Sequence, residues 1–182
     1  MKKSIHPFCR FKLTKIIFVL LCILSICVIN ACKRKSSRSG GVSKHKTSKS
    51  NSQIDKVITQ ARTYTGTPYK FGGINKTGMD CSGLLFTVFK DVGIEIPRPS
   101  KDQALWGHEV KAEDLRTGDW LLFTDKEGGD KIVHIGMVTE VKAKDDVRFI
   151  HAGNKLGVVE ENLYIKYWQK VFLRGVRPKC FE

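Results

Sequence analysis

The sequence predicts an α+β fold in which N-terminal helices pack on one side of an antiparallel sheet. Apolar residues recur at helical spacing in two segments, around Val57 and around Leu84. After Gly118-Asp119 the texture changes to short β-branched and aromatic runs separated by Gly, Lys and acidic residues. Helices first and strands afterwards favour helices gathered on one face over an alternating parallel sheet.

The chain has 182 residues, room for one ordinary domain with appendages. The appendages lie at the front. Lys2, Lys3, Arg10, Lys12 and Lys15 precede an apolar run over residues 16–29, a basic region followed by a hydrophobic core that is short for a membrane span. A secretory signal is therefore expected over residues 1–31. Its end, Ile29-Asn30-Ala31-Cys32, resembles the lipobox of bacterial lipoproteins, although Asn30 is an unusual residue at its position. That resemblance implies that Cys32 is diacylated and becomes the mature N-terminus, with a plain signal peptide or an uncleaved anchor as the alternatives. From residue 33 to residue 53 the chain is Ser, Lys, Arg and Gly with almost nothing apolar. Such a segment cannot bury enough surface to offset the entropy of ordering, so residues 32–53 are expected to form a disordered basic tether.

The folded part is expected over residues 54–182. Ile54, Val57, Ile58, Ala61 and Tyr64 define an amphipathic helix with a capping box at Ser52-Gln53-Ile54-Asp55, ended by Gly66 and Pro68. Leu84, Leu85, Val88, Phe89 and Val92 define a second helix, with Gly93 just past its end. Pro97 and Pro99 then force extended backbone before another capping box, Ser100 to Gln103, and a short helix to about Trp106. Strands are predicted over residues 120–123, 132–141, 147–151, 158–159 and 171–176. A segment of this length can bury a core without covalent staples.

The net charge of +14 belongs to the front of the chain. Residues 1–53 hold twelve Lys and Arg and no Asp or Glu, so the folded part carries only +2. The basic excess therefore does not support nucleic-acid binding, which needs it on a folded face. Solvation and reach are the arm's expected uses, with attraction to anionic headgroups or wall polymers second. Three of the six cysteines, Cys9, Cys22 and Cys27, would leave with the signal. A Cys81–Cys180 disulfide is not expected, because one bridge to a C-terminal tail is a poor framework for a domain of this size.

Cys81 is predicted at or beside the N-terminus of the second helix. Unpaired N–H groups and the positive end of the helix dipole there favour a thiolate and can bind a developing oxyanion. The bland alternative is a small buried hydrophobe. A cysteine nucleophile needs a base, and the base needs an orienting group. His6 goes with the signal, His45 lies in the tether, and His108 is expected as solvated surface in a polar loop. His134 and His151 remain, on successive predicted strands. They come roughly opposite each other if the hairpin turns near Lys142-Ala143. Cys81, His134 and His151 lack the paired close spacings of zinc sites, so neither metal nor cofactor is expected.

Several motifs in order resemble the NlpC family of cell-wall cysteine peptidases: Tyr69-Lys70-Phe71-Gly72-Gly73, Asp80-Cys81-Ser82-Gly83, Pro97-Arg98-Pro99-Ser100 with Gln103, Gly118-Asp119, His134-Ile135-Gly136 and Phe149-Ile150-His151-Ala152. The resemblance implies a reduced papain-like fold with Cys81 as nucleophile, His134 as base and His151 as its orienting partner. It implies further that Tyr69 lies against the nucleophile while Asp80, Ser82, Arg98 and Ser100 line a substrate cleft. The substrate would be peptidoglycan stem peptides, cut at the γ-D-glutamyl bond to a diamino acid or, alternatively, at the cross-link. Papain-like acyl transfer or amidase cleavage, and a wall-binding module without catalysis, are the other readings. A monomer is expected, anchored to a bacterial membrane through the lipid on Cys32 that the lipobox resemblance implies.

Overall fold

The computed structural model describes residues 43–182, so the predicted signal, Cys32 and the first part of the tether lie outside the described residues. The first helix, α1, covers Ser43–Arg62 and therefore starts inside the segment expected as a tether. Residues 44–52 contain neither Gly nor Pro. Once the packed turns at Val57, Ile58 and Ala61 have nucleated the helix, each added residue extends it at little cost. Ser52 consequently lies within the helix rather than capping it. At the other end, the Tyr64 hydroxyl donates to Asp91 Oδ2 at 2.6 Å and ties α1 to the end of the next helix.

A small hairpin follows, β1 (Ile74–Asn75) with β2 (Gly78–Met79). It leads directly into α2 (Cys81–Asp91), whose N-cap is Asp80. Cys81, Leu84, Leu85, Val88 and Phe89 are buried along one side of α2, as the helical spacing predicts. The one-turn helix α3 (Ser100–Gln103) starts without a side-chain cap, with Pro99 at the capping position. The expected Ser100–Gln103 capping box does not form. Gln103 is instead fully buried and donates its amide to the carbonyls of Ser82 at 3.1 Å and Pro97 at 2.8 Å, pinning α3 to the first turn of α2.

Six strands make the main sheet: β3 (Gly107–Val110), β4 (Trp120–Thr124), β5 (Ile132–Ala143), β6 (Asp146–Gly153), β7 (Gly157–Asn162) and β8 (Phe172–Pro178). Their spatial order is β3-β8-β4-β5-β6-β7, with every neighbouring pair antiparallel. The predicted strands are all present. The short β3 was missed, because Gly107, His108 and Glu109 carry no alternating apolar pattern. His108 is exposed, as expected, but on this edge strand rather than in a loop, with its Nδ1 3.0 Å from Glu182 Oε1. A further short helix, α4 (Lys166–Val171), separates β7 from β8 and was also not foreseen.

The sheet is buried on both faces, which is why β4 reads as the uninterrupted apolar run Trp120-Leu121-Leu122-Phe123. Trp120 and Leu122 join Ile135, Met137, Ile150 and Ala152 in a cluster with α1 and α2. Leu121 and Phe123 face the other way and join Val138, Phe149, Trp168 and Val171. Helices thus lie on one face with a smaller α4 cap on the other, an α+β arrangement.

Candidate active site

Asp80 adopts an extended conformation, φ −93° and ψ 177°, and its carboxylate accepts the Gly83 N–H at 2.6 Å, fixing the first turn of α2. Cys81 is the first residue of that turn. Gly83 permits the helix end to sit against the preceding loop, because a Cβ there would run into the Gly73 carbonyl and approach Asp80 Oδ1 to 2.9 Å.

Asp80, Ser82 and Arg98, all expected to line the cleft, bond chiefly to one another. Asp80 Oδ2 accepts the Gly72 N–H at 2.7 Å and Arg98 Nη2 at 2.9 Å, while Oδ1 takes Gly83 and, at 3.2 Å, the Ser82 hydroxyl. Arg98 Nη1 donates to Ser82 Oγ at 2.7 Å and Nη2 also reaches the Gly73 carbonyl at 3.3 Å. Four donors saturate the Asp80 carboxylate, so it has no lone pair left for a substrate ammonium. The Arg98 guanidinium and two backbone N–H groups hold it below the usual carboxylate range against the opposing effect of burial. The network therefore sets the shape and rigidity of the turn that carries Cys81. Tyr69 and Ser100 are half-buried. The phenol pKa of Tyr69 is raised by burial and by the negative charges of ionised Cys81 and Asp80.

The sheet positions both histidines. The β5–β6 pairing begins at Met137↔Ile150, and the hairpin turns at Lys144-Asp145. With the register shifts between Val138 and Glu140 and between Val141 and Ala143, this places His151 diagonal to His134 rather than opposite it. The two still meet: His134 Nε2 lies 3.0 Å from His151 Nδ1. Gly136 makes this crossing possible, since a Cβ there would come within 2.7 Å of the Phe149 ring and 3.2 Å of His151 Cβ. Aromatic rings fix both imidazoles. His134 stacks on Trp168 with centroids 5.5 Å apart and planes at 21°, and His151 stacks on Phe149 at 5.0 Å and 22°.

Cys81 lies against β5 at the backbone N–H of Ile135, the residue after His134, and this N–H with those of Ser82 and Cys81 itself favours its thiolate. Burial is nevertheless the largest influence on the thiol and, with the Asp80 carboxylate, pushes its pKa up. This reverses the direction expected from the helix terminus alone, because a dry site penalises charge more than partly aligned amides favour it. Burial, then the neighbouring His151, pushes His134 down to about 3. The resting pair at neutral pH is thus a thiol and a neutral imidazole. No hydrogen bond joins the Cys81 thiol to His134; such contacts commonly tighten only around substrate. Cys180, the other free cysteine among the described residues, has its thiol pushed up to about 12 by burial.

One member of the cluster was not foreseen. His151 Nε2 lies 2.8 Å from Glu161 Oε2 on β7, and the same oxygen accepts the Trp168 indole N–H at 3.1 Å. Glu161 sits two residues along β7 from Val159, the register partner of His151. Only the strand register reveals it, because in the sequence Glu160-Glu161 reads as an ordinary polar strand end.

The model of the NlpC/P60 family matches residues 66–177. Over 145 residues the chain is 32% identical to a probable endopeptidase NlpC of Escherichia coli K12, covering 75% of this chain and 90% of that protein. It is 41% identical over 81 residues to a gamma-D-glutamyl-L-lysine dipeptidyl-peptidase of Bacillus subtilis, 44% of this chain but 27% of that one. With the murein DD-endopeptidase MepS/murein LD-carboxypeptidase of E. coli K12 it shares 32% identity over 116 residues, 63% and 57% of the two chains. A crystal structure of an NlpC/P60 family protein from Bacillus cereus superposes with a TM-score of 0.62 at 28% identity, covering 69% of this chain and 40% of that one. The motifs around Cys81, His134 and His151 all fall within the matched span, and the chain belongs to the NlpC/P60 family of cell-wall peptidases.

Proposed function

We propose that the domain hydrolyses the γ-D-glutamyl bond to the diamino acid of peptidoglycan stem peptides, with Cys81 as nucleophile, His134 as base and His151 as the group that orients it. The observation that carries this reading is Cys81 at the start of α2, facing the strand whose His134 is hydrogen-bonded to His151. His134 Nε2 is engaged by His151, which leaves Nδ1 for the thiol proton. As sulfur attacks the carbonyl carbon, Nδ1 takes that proton, and the oxyanion forms near the first N–H groups of α2. The imidazolium then protonates the leaving amine as the C–N bond breaks. A water, deprotonated in turn by His134, hydrolyses the thioester and restores the thiol.

The named activity of the B. subtilis relative supports the γ-D-glutamyl bond. The match to MepS favours a second reading, cleavage of the cross-link between stems. Digests of purified peptidoglycan weighed by mass spectrometry separate the two. The expected product is monomeric stems shortened at the γ-D-glutamyl bond. Dimers converted to full-length monomers would establish the second reading, and a digest with neither product would remove both.

The lipobox-like Ile29-Asn30-Ala31-Cys32 and the basic leader support an exported, lipid-anchored protein acting outside the cytoplasm. Two acyl chains on Cys32, with Lys33, Arg34 and Lys35 beside anionic headgroups, give stable anchoring where one chain gives marginal binding. Labelled palmitate is expected to enter the wild-type protein and not Cys32→Ala, and failure to label the wild type in cells that process lipoproteins excludes the anchor.

A further inference from the structure

We propose that Glu161 is a positioning residue of the active site: through His151 it fixes which nitrogen of His134 carries the proton, and so presents Nδ1 as the base. The inference rests on the reading of Cys81 and His134 as the reacting pair.

The argument is one of hydrogen-bond parity along a chain of three groups. A carboxylate only accepts, so at 2.8 Å from Glu161 Oε2 the His151 Nε2 is the protonated nitrogen. Neutral His151 then has a bare Nδ1, an acceptor. Its partner at 3.0 Å, His134 Nε2, donates and carries the hydrogen. The one position left without a proton is His134 Nδ1, which is what the Cys81 thiol needs. If Glu161 were absent, either tautomer of His151 would satisfy its neighbours, and the wrong one would force the proton of His134 onto Nδ1.

The carboxylate is held in place for this task. Trp168 Nε1–H donates to the same oxygen at 3.1 Å, and the Trp168 ring stacks on His134, so one side chain locates both ends of the relay. His151 is 2% exposed, so in the intact cluster its Nε2 proton relies on Glu161 for an acceptor. The titratable groups facing His151 are His134 from β5 and Glu161 from β7; the Phe149 and Trp168 rings against it carry no charge. Glu160 points elsewhere, pairing with Arg62 at 2.7 Å. When His134 is protonated in the reaction, the negative charge of Glu161 also stabilises the imidazolium.

Two substitutions separate the tautomer effect from the charge effect. Glu161→Gln keeps an acceptor oxygen for Trp168 and His151 but removes the charge. It should leave the tautomers unchanged, lower kcat on wall fragments about threefold to tenfold, and move the alkaline limb of kcat/KM down by about half a pH unit. Glu161→Ala removes the acceptor and should lower kcat roughly 100-fold with KM within about twofold. Imidazole 15N chemical shifts at neutral pH read the tautomers without reference to activity. Nε2–H on both His134 and His151 is expected in the wild type, and mixed tautomers in Glu161→Ala. The proposal is overturned if wild-type His134 carries its proton on Nδ1, or if the Gln variant leaves the alkaline limb in place. Expected tautomers in a protein that cuts no wall peptide would uphold the positioning role and remove the substrate reading instead.

Discussion

Cys81→Ser is expected to abolish hydrolysis of wall fragments, lowering kcat by at least about 10³-fold, and His134→Ala to do the same. A hydroxyl at position 81 is a far weaker acid and a poorer nucleophile than a thiol, so an imidazole of the low basicity of His134 would activate it far less, and on the proposed mechanism His134→Ala removes the group that takes the thiol proton. Nucleophile and base act as one unit, so the double variant should be no worse than either single one. His151→Ala should be milder, since it removes the orienting acceptor and leaves the proton acceptor in place. The fold should survive Cys81→Ser, because sulfur and oxygen occupy similar space and the Asp80–Ser82–Arg98 network holds the turn without the thiol. Circular dichroism and thermal melting confirm this, and full activity in a folded Cys81→Ser protein would remove the cysteine-peptidase mechanism. The raised thiol pKa and the depressed imidazole pKa are compatible with it. On the proposed mechanism the neutral pair rests, and the proton moves when substrate supplies a carbonyl for the sulfur to attack.

The parts of this molecule that were legible in the sequence are those governed by periodicity. Val57, Ile58, Ala61 and Leu84, Leu85, Val88 mark their helices because a single face is buried, and Trp120-Leu121-Leu122-Phe123 marks a strand because two faces are. Asp80-Cys81 could be placed at a helix start because the apolar pattern begins immediately afterwards. Both capping boxes misled, for the same physical reason. A box is a local competition that tertiary context overrides, by continued helix propagation at Ser52 and by burial of Gln103 against the α2 backbone. The roles of Asp80, Ser82 and Arg98 depend on their mutual distances across 18 residues of chain, which no spacing reveals. Glu161 was illegible because it is two steps along a neighbouring strand from the partner of His151, and only the β6–β7 register decides what it faces.

Asp119 is expected to matter for stability as Cys81 does for chemistry. Its carboxylate, 1% exposed, takes Arg177 Nε and Nη2 at 2.9 Å each in a bidentate pair, and also the Arg116 N–H at 2.7 Å. Arg177 Nη2 reaches the Asp114 carbonyl at 3.1 Å, so one ion pair joins the start of β4, the end of β8 and the turn before them. Asp119→Ala leaves a mostly buried guanidinium with a single carbonyl partner and strips the Arg116 N–H of its acceptor. Breaking one side of such a pair costs about 3–5 kcal/mol. For a domain of this size that lowers Tm by roughly 10–20 °C. Asp119 sits at the opposite end of β4 from Phe123, the register partner of His134. Well below the melting temperature, kcat should therefore stay within about twofold of the wild type. The double variant Asp119→Ala with Arg177→Met separates the cause. If the damage comes from the uncompensated charge, removing that charge restores part of the loss, and the double variant melts above Asp119→Ala. A double variant that melts lower than the single would show that packing around Arg177, and not the pair, holds these strands together.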